Sequence, residues 1–190
     1  IRGFVGGEYG VVFQERAITR MSFEGPPLVF RFDKIATNLG CDIPTSIAAY
    51  GNLAFFRSDD GFKMIRGGAE IIDIGDDKID RWFEERANPS YLHLVSAGID
   101  PVQKLYLVAF PQSTTTYCDT LLCYHWPTGQ WTVLSENVEL IYPALNQTSY
   151  TIDTMVNVAA TIAQLTQPVD SRFWAGSGKY VLSAFNDAHK

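Results

Sequence analysis

Clustered cations are what this sequence lacks first. Its 15 lysines and arginines are scattered with no run of three, against 21 aspartates and glutamates, for a formal net charge of −6. Duplex recognition draws its affinity from grouped cations that release counterions from phosphate, so a dedicated nucleic-acid-binding surface is not expected. Cysteine is scarce as well. Cys41, Cys118 and Cys123 are an odd number without CxxC spacing, which argues against a disulfide framework and against a zinc site. Reduced thiols packed as small hydrophobes are the expectation. No apolar stretch approaches the ~20 residues needed to cross a bilayer, and no basic-then-apolar signal opens the chain, so no membrane partner is expected. GxGxxG, GxxxxGKS/T, GxSxG, HxH and HExxH are all missing, which removes the recognisable phosphate loops, nucleophile elbows and paired-imidazole metal sites. No cofactor is expected.

What is present is apolar and patterned for strands. Of 190 residues, 46% are hydrophobic and 13% aromatic, enough for a packed core and the wrong balance for disorder. The segment GNLAFFRSDDGFKMIRGG (51–68) sets two apolar runs on either side of Asp60-Gly61. Asp-Gly in that setting predicts a tight hairpin with Asp60 and Gly61 at its two central positions. The unit recurs: residues 10–35 can be laid over 53–79, with Phe13 on Phe56 and Asp33-Lys34-Ile35 on Asp77-Lys78-Ile79. A third unit starts at KLYLVAF (104–110), passes the polar PQSTTTY, and ends in DTLLCYHW, PTGQ and WTVL. A fourth starts at GKYVLSAF (178–185). Such periods, each holding three or four short strands, predict an all-β chain built as a β-propeller of small antiparallel blades. The blade-like units lie near 7–35, 50–79, 104–134 and 177–190, inside a single domain, with an excursion over 135–170.

Two stretches read as helices. DDKIDRWFEER (76–86) spaces Ile79, Trp82 and Phe83 at i, i+3 and i+4, with Asp76 or Asp77 as N-cap and Pro89 beyond the end. TIDTMVNVAATIAQL (151–165) also shows helical spacing, although its Thr and Val content favours strand. The chain opens on Ile1 and stops at AFNDAHK, and a piece of a longer protein is expected.

Candidate chemistry meets a structural reading at each position. Ser58-Asp59-Asp60-Gly61 is one residue short of the S-x-D-x-G box on sialidase-like propeller turns, and that box is itself a turn motif. Glycosidases of that class converge arginines, a tyrosine and carboxylates on one pocket. Arg16, Arg20, Arg31, Arg57, Arg66, Arg81, Arg86 and Arg172 are too dispersed to announce such a cluster. Asp60 and Gly61 are therefore read as a structural turn, since Asp tolerates left-handed backbone and Gly adopts it freely. His93 and His125 sit in strand-like patterns, and His189 has no ligand-spaced companion. Cys123 and His125 share a strand face without a third orienting group. No catalytic residue and no metal ligand is expected, and the chain is not expected to be an enzyme.

The order of these motifs has a family look. GNLAFFRSDDGFKMIRGGAEIIDIGDDKIDRWFEE, IDPVQKLYLVAFP, DTLLCYHWPTGQWTVL and VDSRFWAGSGKYVLSAFNDAHK resemble the packaged-DNA-stabilisation, or tail hub (nozzle), proteins of short-tailed phages. The resemblance spans most of residues 7–190 and consists of β-repeat phrases and aromatic turns. It implies a virion protein, assembled in the host cytoplasm, forming a ring of six or twelve copies below the portal and adaptor proteins. Such a ring closes the exit for packaged DNA, which passes without specific binding, and carries a tail spike, fibre or plug. Propellers also host other work. A glycan-binding or glycan-hydrolysing propeller would need a carboxylate pair or an aromatic shelf, and a cellular scaffold would be expected to show WD or Kelch signatures.

Overall fold

The computed structural model describes residues 1–75, 78–146 and 179–186. The described residues are mostly β, 54% in strands, arranged in small antiparallel sheets, none of which closes on itself among those residues. The first sheet runs in sequence order through β1 (Gly3–Val5), β2 (Gly10–Phe13), β3 (Ala17–Phe23) and β4 (Phe30–Thr37). The second holds β5 (Ile43–Tyr50), β6 (Leu53–Ser58), β7 (Gly61–Arg66) and β8 (Glu70–Asp73). The third holds β9 (Ser96–Asp100), β10 (Leu105–Phe110), β11 (Thr120–His125) and β12 (Gln130–Leu134). Between the second and third lie α1 (Lys78–Arg86) and a 3-10 helix, Pro89–Leu94. β13 (Leu140–Asn146) pairs with β14 (Lys179–Phe185).

The central sheet is apolar on both faces, and that decides the packing. Alternation in β6 sends Phe55 to one side and Phe56 to the other. Phe56 meets Phe13 of the first sheet with ring centroids 5.0 Å apart, in a cluster with Val11, Ile18, Ala54 and Ile65. The two residues that the internal repeat superposes thus pack on each other. On the far side Phe55 stacks on Tyr106 of the third sheet at 4.8 Å, in a cluster with Phe62, Met64, Val108, Phe110 and Leu122. Each such aromatic pair adds about 0.5–1.5 kcal/mol beyond its area. The first strands of successive sheets adjoin, β1 beside β5 and β5 beside β9. At that seam a Cβ on Gly3 would stand 2.4 Å from Ile47 Cδ1, so a larger residue there would turn the Ile47 side chain aside.

Several boundaries differ from the sequence reading. The first unit opens at Gly3 rather than residue 7. The second gains β5, whose register shifts between Ile43 and Ala48; that bulge interrupts the alternation by which a strand is recognised. The third gains β9, whose small residues Ser96, Ala97 and Gly98 carry little strand signal. The back of the proposed repeat is misaligned. Asp33-Lys34-Ile35 lies in β4, whereas Lys78 and Ile79 open α1. β13 falls inside the stretch expected as an excursion. The helix expected over 76–86 is observed as Lys78–Arg86, and its suggested caps lie outside the described residues, as does the 151–165 segment. The chain divides into two compact units, Ile1–Tyr142 with Ala184–Lys190, and Pro143–Ser183. In the second unit, the described residues belong to β13 and β14.

Candidate functional site

The hairpin tip at 58–61 is where sequence chemistry and structure can be compared most closely. The register pairs Ser58 with Gly61, so Asp59 and Asp60 are the two central turn residues, one position earlier than expected for Asp60-Gly61. Positive φ falls on Gly61, at 130°, and on neither aspartate. The turn therefore needs no left-handed Asp, and Gly61 opens β7 beyond the loop. Its missing Cβ serves a neighbour, because a Cβ there would lie 2.6 Å from Asp80 Oδ2.

Asp80, in the first turn of α1, holds this tip. Its Oδ1 accepts a hydrogen bond from the Phe62 amide at 2.8 Å, and a Cβ on Gly75 would stand 2.0 Å from its Oδ2. Burial pushes the Asp80 carboxyl above its ordinary value, against the pull of the Phe62 amide, Arg57 and Lys63. Around the turn, Ser58 Oγ donates to Asp59 Oδ1 at 2.8 Å, and the Asp60 amide donates to Ser58 Oγ at 3.4 Å. Lys63 Nζ bridges Asp60, at 2.9 Å, and Asp73. Burial works against the Lys63 charge, and the two carboxylates outweigh it, leaving its pKa above the ordinary value. These contacts tie β6, β7, β8 and α1 together.

Beside the tip lies a cavity of about 290 Å³, bordered by Asp42, Arg57, Asp59, Phe83, Glu84 and Leu92 among others. Arg57 is the feature the sequence reading missed. Its side chain is only 5% exposed and its Nη2 donates to Glu84 Oε1 at 2.9 Å. Its guanidinium carbon sits 5.6 Å from the Phe62 ring centroid and 5.5 Å from that of Phe83, while Nε and Nη1 have no hydrogen-bond partner among the described residues. Ring faces attract a cation without satisfying its N–H groups. A period-two reading could have placed Arg57 on the Phe55 face, but its burial comes from α1, which is distant in sequence.

The remaining candidates are separate from this tip. His125 caps β11, with Nδ1 2.7 Å from Thr128 Oγ1, and His93 lies in the 3-10 helix rather than a strand. Cys41 and Cys118 are buried, their thiols pushed up to about 11 chiefly by loss of water. Burial likewise raises Cys123, which opposes the thiolate a nucleophile needs. Among the described residues no three His, Cys, Asp or Glu side chains converge as a metal site. His189 and Arg172 lie outside them.

Against known proteins, the sequence matches no family model and no curated protein. The chemistry of the tip is that of a braced hairpin: carboxylates occupied by an amide and an ammonium, and a buried guanidinium clamped between rings.

Proposed function

We propose that this chain is a structural component of a phage tail, a β-propeller subunit of the hub ring below portal and adaptor. The observation that carries this reading is the succession of four-stranded antiparallel meanders with adjoining first strands. Blades of a propeller are built so, each beginning at the axis and ending at the rim. The outer strands β4, β8 and β12 agree with rim positions, since β4 and β12 are largely exposed and β8 holds no buried residue. A propeller suits a hub because blade strands are committed to the core while loops on two faces remain to meet partners.

In this role the protein retains packaged DNA mechanically and turns over no substrate. The hairpin tip braces the second blade. Net charge of −6 with no cationic cluster lets duplex pass a channel wall without adhering. Ring contacts join one face of a subunit to a different face of the next, and spike, fibre or plug proteins attach distally.

The test is addition of the full-length protein to the matching portal–adaptor complex, followed by particle imaging. An added ring is the expected result. Unchanged particles, or the protein recovered on a host glycan instead, would sink the assignment.

A further inference from the structure

Three carboxylates and one guanidinium border the cavity of about 290 Å³ beside the hairpin tip. They come from separate elements: Asp42 precedes β5, Arg57 lies in β6, Asp59 lies in the β6–β7 turn and Glu84 lies on α1. Phe83 of α1 and Leu92 of the 3-10 helix supply an apolar side. The charges do not balance within the chain. Glu84 pairs with Arg57, and Lys63, the other cation at the tip, is held by Asp60 and Asp73. Among the described residues, Asp42 and Asp59 pair with no cation. Arg57 lacks acceptors instead. Its side chain is only 5% exposed, yet Nε and Nη1 have no partner among the described residues, and a buried donor without a partner is costly.

We propose that this cavity receives a lysine of a partner protein, its ammonium among the carboxylates and its peptide carbonyl on Arg57. Charge selects the sign. Asp42, Asp59 and Glu84 outnumber Arg57 by two charges, so a free anion is repelled and a cation attracted. The spacing selects an extended occupant. Among the described residues no three acidic, His or Cys side chains converge as a metal site, so a bare ion is not enclosed, whereas a ligand with a polar group at each end spans the rim. Lysine has that form, a compact ammonium on a four-carbon stem that can lie along Phe83 and Leu92. Arginine favours the paired oxygens of one carboxylate, and these acids arrive singly from different elements. The carbonyl supplies an acceptor for Arg57. Glu84 is 59% exposed, so it can release the guanidinium to turn an N–H toward that carbonyl and take the incoming ammonium in exchange. Ligand pockets hold about 300–1,000 Å³, and a volume at the small end suits one side chain with its peptide group.

The site does not depend on the hub reading, which ring addition to portal–adaptor particles tests separately. The probes here are N-acetyl-lysine N-methylamide, its norleucine counterpart with the same stem and no charge, pentylamine with the ammonium and no carbonyl, and inorganic phosphate. In amide NMR titrations of the 190-residue chain, the lysine amide should shift Asp42, Asp59, Glu84 and Leu92 saturably, with half-saturation at about millimolar concentration. Pentylamine should bind more weakly, and the norleucine amide and phosphate should leave these signals in place. Asp59→Asn keeps an acceptor for Ser58 and removes a charge, and should weaken the lysine amide about two- to fivefold; Asp42→Asn is the second variant should the turn be disturbed. In Arg57→Met the advantage of the lysine amide over pentylamine should vanish, because no donor remains for the carbonyl. Absence of saturable shifts with the lysine amide, equal binding of the norleucine amide, or binding of phosphate at these residues would overturn the inference. So would unchanged affinity in both aspartate variants, or an undiminished advantage over pentylamine in Arg57→Met.

Discussion

Gly61 shows how one residue can be chosen for a neighbour rather than for its own turn. Its φ of 130° and the nearness of Asp80 both exclude a β-branched side chain. Gly61→Val should therefore cost roughly 1 kcal/mol or more in urea unfolding. A stability equal to wild type would show that the tip is not held as described. Asp80 gives a pH-dependent companion. Its folded pKa is raised by burial, so the native state binds the proton more tightly than the unfolded chain does. That stabilising contribution is complete below the ordinary carboxyl value and is lost as pH rises through the raised one. Asp80→Asn keeps an acceptor for the Phe62 amide and removes the charge. The variant should gain on the wild type across that window and hold a constant difference above it; a pH-independent difference would contradict the assigned burial. The thiols behave alike. Cys41 and Cys118 are buried with pKa values near 11, so Ellman's reagent at pH 8 should modify no cysteine in the native protein and all three in denaturant. Rapid labelling of the native chain would refute it.

At the scale of elements, the hairpin is legible in the sequence and its clasp is not. Apolar runs around an Asp-Gly fix β6 and β7, because alternation and turn chemistry are local. Asp80 and Arg57 act across 18 and 27 residues, on Phe62 and Glu84, and nothing in a local pattern carries such a contact. β5 and β9 escaped for the reasons visible in them, a register shift in one and small residues in the other. α1 was legible because Ile79, Trp82 and Phe83 repeat at helical spacing, and Phe83 indeed fills the core between Phe62 and Phe110. Phe83→Ala should cost about 3–5 kcal/mol through the cavity it leaves. Arg57→Met should differ in sign. It removes two buried nitrogens that have no hydrogen-bond partner among the described residues while keeping an apolar body between the rings, and Glu84 is already 59% exposed. Replacing a buried ion pair with a well-packed apolar group is often neutral or stabilising, so chemical denaturation should find the variant no less stable. A marked loss would show that Arg57 contributes more than packing.

For the whole molecule, what matters is how the sheets relate. Composition indicates a packed core, and the repeated strand patterns indicate small β units; the order of packing, with the second sheet apolar on both faces, emerges from Phe55 and Phe56 on adjacent positions of one strand. A stack of sheets and a turn of a propeller share those contacts and differ in whether the first strands converge on an axis. A density map of the assembled full-length protein at a resolution that separates strands distinguishes them. The expected map has β1, β5 and β9 side by side along the wall of a central channel, with β4, β8 and β12 at the rim. Sheets stacked without a common axis, their first strands diverging, would contradict the propeller and with it the hub built upon it.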